Sequence, residues 1–161
     1  MTQPLRATSL EEAKAYIDAI DFSMIINKIV KTKHWKEKEA AAICVYYKNF
    51  LYLNKQYEKL GQLPPSEEID EFWHNHILDT EKYIKDCDAI FGKYLHHYPY
   101  FGMDGKSNEQ DLSNAFEHMQ QLYKKEFGDQ IYRVRNPGFL EIIKITLQII
   151  KQFFSKKNNI K

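Results

Sequence analysis

The sequence predicts an all-α protein, a single-domain irregular helical bundle of about five to six helices with one ordered loop rich in aromatic residues and histidines. Apolar residues recur at helical spacing, capping residues and glycines mark the ends of these segments, and the alternation typical of strands is rare. The 161 residues are 43% apolar and 14% aromatic, as in a packed globular protein. We therefore predict one domain over 1–161, with a loose leader at 1–8 and a basic tail at 155–161.

The first part of the chain predicts three helices. Ser9 is a good N-cap for a short helix over 9–20, because acidic residues follow it in the first turn. Asp21 is the candidate cap of a second helix, which ends in basic residues. A third helix is predicted over 35–60, with Gly61 as its C-cap. Cys44 falls in the apolar stripe of this third helix, where we expect a buried small side chain.

A central helix follows a rigid connector at 62–65. Ser66 and the two glutamates after it form a start signal, and the helical pattern continues to residue 90 or 91, where Gly92 stops it. The segment from residue 93 is aromatic and contains proline and glycine, so it predicts an ordered loop.

Two further helices are predicted in the last third of the chain, over 107–127 and 139–154. The second of these is apolar on nearly all sides and is expected to be buried. We predict that it belongs to the core. The alternative is that it docks a partner protein or lies on a membrane surface, aided by the lysines of the basic tail.

Charge and cysteine content exclude several functional classes. The formal net charge is +1, which gives no electrostatic reason to bind nucleic acid or an anionic membrane. Cys44 and Cys87 form no CxxC pair, and the N-terminus lacks the apolar segment of a secretory signal. No segment is long and apolar enough to be transmembrane. These features predict a cytoplasmic protein without disulfides.

The stretch from Ser66 to Gly102 holds four of the six histidines, one of the two cysteines and one of the two tryptophans. Two residues of helix rotate the side chain by roughly 200°, so His74 and His76 point to opposite faces. His76 lies on the apolar face and must find a partner or stay neutral there.

A polar site is predicted between the 66–91 helix and the 93–102 loop. Its candidate groups combine imidazole, carboxylate and thiol: His76, Asp79, Cys87, His96 and His97, with Tyr83 and Asp86 nearby. Imidazole with thiolate suits zinc, whereas imidazole with carboxylate suits iron or manganese. The alternative is that these residues are buried hydrogen-bonding braces and that no metal binds.

The same stretch contains a long motif: Asp70-x-x-Trp73-His74-x-His76-Ile77-Leu78-Asp79-Thr80, Tyr83-x-x-Asp86-Cys87, Phe91-Gly92 and His96-His97-x-Pro99-Tyr100-Phe101-Gly102. This motif resembles the glycine-rich-domain-containing-protein-like family over roughly Asp21 to Gly102. With only six glycines, the chain is similar to the compact bacterial-type members that have the helical domain alone. The resemblance implies a shared feature but no agreed chemistry, formed by Trp73, His74, His76, Asp79, Tyr83, Asp86, Cys87, Gly92 and His97.

We therefore predict a non-catalytic binding or interaction domain that uses this polar site. The predicted binding residues are Trp73, His74, His76, Asp79, Tyr83, Asp86, Cys87, His96 and His97. The alternative is a metal-dependent enzyme that uses zinc, iron or manganese at the same site, so a divalent metal is a candidate cofactor. No catalytic residue is predicted, because Cys87 lies late in a helix, far from the N-terminal dipole that would activate it.

Overall fold

Six α-helices and one 3₁₀ helix make up the described part of the protein, a computed structural model that describes residues 8–100, 105 and 109–135. No strand occurs in these ranges, so the all-α prediction is confirmed. The helices are α1 (Leu10–Ala19), α2 (Ser23–Lys33), α3 (Glu37–Gln56), the 3₁₀ helix (Glu58–Leu60), α4 (Glu67–Ile77), α5 (Thr80–Phe91) and α6 (Glu109–Phe127).

All of these helices belong to one compact unit, Met1–Ile131. A second unit begins at Tyr132, and its described residues, 132–135, have no regular secondary structure. The predicted helix over 139–154 and the basic tail over 155–161 lie outside the described residues, as do residues 1–7 of the leader. The division into a single domain over the whole chain therefore stays a prediction.

The start signal at Ser9 is confirmed for α1, whereas the N-cap position of α2 is Phe22 and not Asp21. The Glu12 amide donates to Ser9 Oγ (3.2 Å), and the Ser9 amide donates to Glu12 Oε2 (2.9 Å), which makes a capping box. Asp21 Oδ1 accepts a hydrogen bond from the Ser23 amide (2.8 Å) at the start of α2. These bonds satisfy amides that would otherwise lack partners at a helix N-terminus.

Helix α3 is the centre of the unit, and α1, α2, α4 and α6 all pack against it. Its buried residues recur every three or four positions: Ala40, Ile43, Cys44, Tyr47, Phe50, Leu51, Leu53 and Asn54. Cys44 is therefore part of the core, as the sequence predicted.

The bounds of α3 differ from the predicted range of 35–60. The helix begins at Glu37, because the Lys36 amide is satisfied by Glu39 Oε2 (3.0 Å) and Trp35 packs as a buried residue before the helix. The α-helix ends at Gln56, and the chain tightens into the 3₁₀ helix. Gly61 follows it with φ of 83°, in the left-handed region that glycine enters without strain.

The central helix is the main correction to the predicted fold. It is not continuous from 66 to 91, because α4 ends at Ile77 and α5 begins at Thr80. Asp79 leaves the helical region, with φ of −87° and ψ of 71°, and occupies the N-cap position of α5. Aspartate is favoured at that position, although the Asp79 side chain makes no cap hydrogen bond here. The break lets α4 pack on α2 and α3 while α5 packs on α1.

Helix α6 joins the unit through polar contacts to α3. The Asn49 side chain donates to Tyr123 Oη (2.7 Å), and Tyr57 Oη donates to Glu126 Oε1 (2.6 Å). Among the helices that the structure describes, none has the length and apolar character needed to cross a membrane.

Candidate functional site

The break between α4 and α5 creates a buried polar network around His76. In one continuous helix, His76 and Asp86 would be about 15 Å apart along the axis. Instead, His76 Nε2 and Asp86 Oδ2 lie 3.0 Å apart, and the two residues are 1% and 2% exposed. On the other side of the ring, His76 Nδ1 is 2.9 Å from the buried Tyr47 hydroxyl.

Asp86 is the most connected residue of this network. Tyr16 Oη donates to its Oδ1 (2.7 Å), and Lys82 Nζ lies 3.2 Å from its Oδ2. Burial by itself would raise the pKa of the Asp86 carboxyl, but the hydrogen bonds from His76, Tyr16 and Lys82 outweigh burial and lower it. Asp86 is therefore an anion at neutral pH, so His76 Nε2 carries the proton in the bond between them.

The two tyrosines complete the network as donors. Burial, and then the contact with Asp86, raise the pKa of Tyr16 to about 12, and burial raises the pKa of Tyr47 well above its ordinary value. Both hydroxyls keep their protons, so Tyr47 can donate to His76 Nδ1. No buried side-chain polar atom in the described residues lacks a partner. The network is thus complete without a ligand, and its geometry fits a brace joining α1, α3, α4 and α5.

A second set of bonds holds the segment after α5 in place. Trp73 Nε1 donates to Tyr83 Oη (2.8 Å), and the Tyr83 hydroxyl donates to the Leu95 carbonyl. Cys87 is 2% exposed and interacts with the Leu95 backbone and the Tyr83 hydroxyl. Burial raises the pKa of the Cys87 thiol above its ordinary value, so the thiolate that a nucleophile or zinc ligand requires is disfavoured.

The same segment brings His97 to the exposed face of α4, where it meets Asp70 and His74. His97 Nε2 lies 2.7 Å from Asp70 Oδ1, and His74 Nδ1 lies 3.6 Å from Asp70 Oδ2. One ligand atom from each residue lies within 4.8 Å of the other two, and no other group of three in the described ranges meets this condition. We call Asp70, His74 and His97 the triad.

The triad is positioned by packing on one side and is accessible on the other. The ring centroids of His74 and His97 are 4.6 Å apart, and His97 lies 4.7 Å from the buried Trp73 ring. The side chain of His74 is 46% exposed and that of His97 is 15% exposed. Imidazole nitrogens and a carboxylate are therefore held together where an ion could reach them.

The accessible side of the triad opens into a cleft of about 460 Å³. The connector before α4, the segment after α5 and one face of α6 form its walls. These walls are largely apolar and contain Leu63, Pro64, Pro65, Tyr98, Pro99, Leu112 and Ala115, with Glu67 as a further acid. A mostly apolar cleft with a few converging polar groups is the usual form of a small-molecule site.

The structure places seven of the nine predicted site residues in three environments and leaves two outside them. His76 and Asp86 lie in the buried network, Trp73, Tyr83 and Cys87 support the segment after α5, and His74 and His97 belong to the triad. Asp79 is exposed at the break between α4 and α5. His96 is also exposed, and its ring centroid lies 4.8 Å from that of Tyr94.

Asp70 is the triad member that was not among the predicted binding residues. It lies four residues before His74, and residues four apart occupy one helical face, so the signal was present in the spacing.

Comparison with known proteins gives one result for this chain. The model of the UCP032817-like family matches residues 12–156, which is most of the chain. The chain belongs to the UCP032817-like family. No curated protein and no solved structure matches it significantly. The family's description states no ligand or reaction.

Proposed function

We propose that this protein is a ligand-binding domain that holds a divalent transition metal ion at Asp70, His74 and His97. One observation carries the proposal: three ligand atoms, from two imidazoles and one carboxylate, converge within 4.8 Å at the mouth of a cleft. Exposed acids often cluster without binding a metal, but two histidines joined to one acid form a much more selective ligand set.

Zinc is the metal that we favour. Zinc accepts imidazole nitrogen and carboxylate oxygen at about 2.0–2.2 Å, and two histidines with one carboxylate are an established zinc ligand set. The same set can also hold iron(II) or manganese(II). The second nitrogen of each ring and the second oxygen of Asp70 remain for outer hydrogen bonds, which orient ligands in metal sites.

The competing interpretation is that Asp70 braces His97 and His74 by hydrogen bonds alone. Both interpretations use the same contacts, and they differ in whether loss of one imidazole changes metal affinity. His96 offers a matched control, because it adjoins His97 on the same segment and lies outside the triad.

The test is calorimetric titration of chelator-treated protein with Zn²⁺, together with elemental analysis of protein purified without chelator. We expect one equivalent to bind to the wild type and to His96→Ala, and the affinity of His97→Ala to fall by about a hundredfold or more. Equal affinity of the wild type and His97→Ala in folded protein would show that the triad is a brace.

A metal-dependent enzyme is the second candidate function. It is favoured by the number of protein ligands, because metal sites with three protein ligands keep a position for water or substrate, whereas structural sites are closed by a fourth ligand. Zinc-loaded protein that hydrolyses activated esters or amides, with the activity lost in His74→Ala, would support this function. An equal rate for the zinc-loaded wild type and the variant would remove the support.

We further propose that the family is related to glycine-rich-domain-containing proteins. The support is the motif from Asp70 to Gly102, which contains all three triad residues, the His76–Asp86 pair of the buried network and the Trp73–Tyr83 pair that holds the segment after α5. A structure of such a protein in which the matching histidine and aspartate do not pair across a break between two helices would contradict this relationship.

Two expectations of the sequence also stand as proposals. The first is that the 139–154 segment binds a partner protein if it is not part of the core. The second is that the protein works in the cytoplasm, and its two free, buried cysteines support this. Deletion of 139–161 tests the first, since loss of folding would show that the segment is core. Fractionation of cells tests the second, and recovery of the protein outside the cytoplasm would contradict it.

A further inference from the structure

We infer that a metal ion bound at the triad keeps one coordination position open toward the cleft, and that this position takes the carboxylate of a small monoanionic acid with an aromatic body. This inference rests on the proposed metal site and adds to it the class of ligand. It follows from the direction of the protein ligands, the charges around the ion and the walls of the cleft.

The protein ligands approach from one side. Asp70 and His74 lie one turn apart on the same face of α4, and His97 comes from the segment that crosses this face. Among the described residues, no fourth histidine, cysteine or acid joins the group. Since zinc requires at least four ligands, the described residues leave at least one position to water or to a ligand in the cleft.

The charge at the ion favours a ligand with one negative charge. Two neutral imidazoles and one carboxylate leave a divalent ion with a net charge of +1. Glu67, which is exposed to solvent, is the other acid in the cleft wall, and no lysine or arginine lines the wall in the described part of the chain. Among the described wall residues the bound ion is therefore the cation available to an anionic ligand, and a second anionic group would find no partner among them.

The walls favour a flat apolar body beyond the carboxylate. Prolines of the connector and of the segment after α5 line the cleft, together with Tyr98 and Leu112, which are 49% and 37% exposed. Aromatic rings pack well against such surfaces and against the imidazole ring of His74. The volume of about 460 Å³ lies toward the lower end of the range for small-molecule sites, so the body must be small.

The test uses protein loaded with Co²⁺, whose visible absorption reports the ligands at the metal. We expect phenylacetate to change the spectrum in a saturable way, with an affinity about tenfold or more above that of acetate, because the ring adds apolar contact. Phenylacetamide, which lacks the charge, and succinate, which adds a second charge, should bind more weakly than phenylacetate.

A pair of variants locates the binding in the cleft. Leu112→Ala should bind Co²⁺ like the wild type. Its affinity for phenylacetate should fall by about tenfold, because the truncated side chain loses apolar contact with the ring. Leu78→Ala, which is 70% exposed and does not line the cleft, should behave like the wild type in both measurements.

The outcomes separate this inference from the proposed function. If Co²⁺ does not bind, both are overturned. If Co²⁺ binds but phenylacetate leaves its spectrum unchanged, or Leu112→Ala binds phenylacetate as well as the wild type, the metal site stands and the ligand class is wrong.

Discussion

At the scale of single residues, Asp86 is the side chain on which the buried network depends. Asp86→Asn removes the charge that receives hydrogen bonds from His76, Tyr16 and Lys82, and it replaces one of the two accepting oxygens with an amide donor. Breaking a buried charged network of this kind costs about 3 kcal/mol or more. We expect a loss of that size in urea unfolding at pH 7, with wild-type helical content retained in circular dichroism.

The pH dependence of this loss follows from the lowered pKa of Asp86. A carboxyl whose pKa is lower in the folded state stabilises the fold above its unfolded-state pKa, and the stabilisation disappears as the pH falls through the folded-state pKa. The stability difference between the wild type and Asp86→Asn should therefore shrink as the pH is lowered from 7 toward 3. A difference that is equally large at pH 3 would show that the charge of Asp86 is not the source of the effect.

Two residues with the same left-handed backbone allow a matched test of helix ends. His34, after α2, has φ of 56°, and Gly92, after α5, has φ of 67°. No atom lies within 4 Å of a Cβ built at Gly92, so the cost of a side chain there comes from the backbone alone. We expect Gly92→Ala to destabilise the protein by about 1 kcal/mol and His34→Gly to stabilise it by about 0.5–1 kcal/mol.

Thermal unfolding of both variants measures this pair of effects. A melting temperature of His34→Gly that is lower than that of the wild type would show that the His34 side chain makes contacts worth more than the strain of its backbone.

At the scale of elements, the sequence predicted the helices better than the joints between them. Ser9 and Gly92 set helix ends through local chemistry, and both ends were read correctly. The break at Asp79 depends instead on which faces α4 and α5 can bury, since a regular helix through Leu78 and Asp79 satisfies the local pattern equally well. Aspartate before Thr80 was the available signal, but it decides the break only when tertiary packing favours two helices.

The contrast between helices, which local sequence predicts, and the joints between them, which it does not, also explains how much of the site could be predicted. The opposite placement of His74 and His76 follows from helical geometry and holds in the structure. The contact of His76 with Asp86 requires the break, so no spacing rule for one helix could find it. The pairing of His97 with Asp70 depends on the path of the segment after α5, which Trp73 and Tyr83 fix through the Leu95 carbonyl.

The path of the segment after α5 predicts that Tyr83 is a positioning residue for the triad. Tyr83→Phe keeps the ring but removes the acceptor of the Trp73 indole and the donor to Leu95, which leaves buried polar groups without partners. We expect a loss of about 1–3 kcal/mol in stability. Zinc affinity should also fall, by about tenfold or more, because supporting contacts around metal ligands have effects of this size.

Tyr94→Phe is the matched control for Tyr83→Phe, because Tyr94 lies on the same segment and is 39% exposed. Calorimetry with Zn²⁺ at a temperature where both variants are folded separates the two effects. If Tyr83→Phe loses stability but binds zinc like Tyr94→Phe, the hydroxyl supports the fold and has no role in positioning His97.

At the scale of the whole unit, the triad joins α4, which packs directly in the core, to the segment after α5, which the core holds less directly. Helix α4 packs on α3, whereas the segment after α5 depends on a few side-chain bonds to reach His97. An ion shared by Asp70, His74 and His97 would therefore close a loop of chain between α4 and this segment. Binding energy that exists only in the folded state adds to its stability.

Zinc should consequently raise the melting temperature of the protein, and the increase should depend on pH. At a free zinc concentration 100 times the dissociation constant, the expected gain is about 2.7 kcal/mol. The gain should disappear as the pH is lowered, because an imidazole must be unprotonated to bind a metal.

Differential scanning calorimetry of the wild type and His97→Ala, each with zinc and with chelator, measures the gain. An equal zinc-dependent increase in both proteins would place the ion elsewhere, whereas an increase confined to the wild type would place it at the triad and tie α4 to the segment after α5.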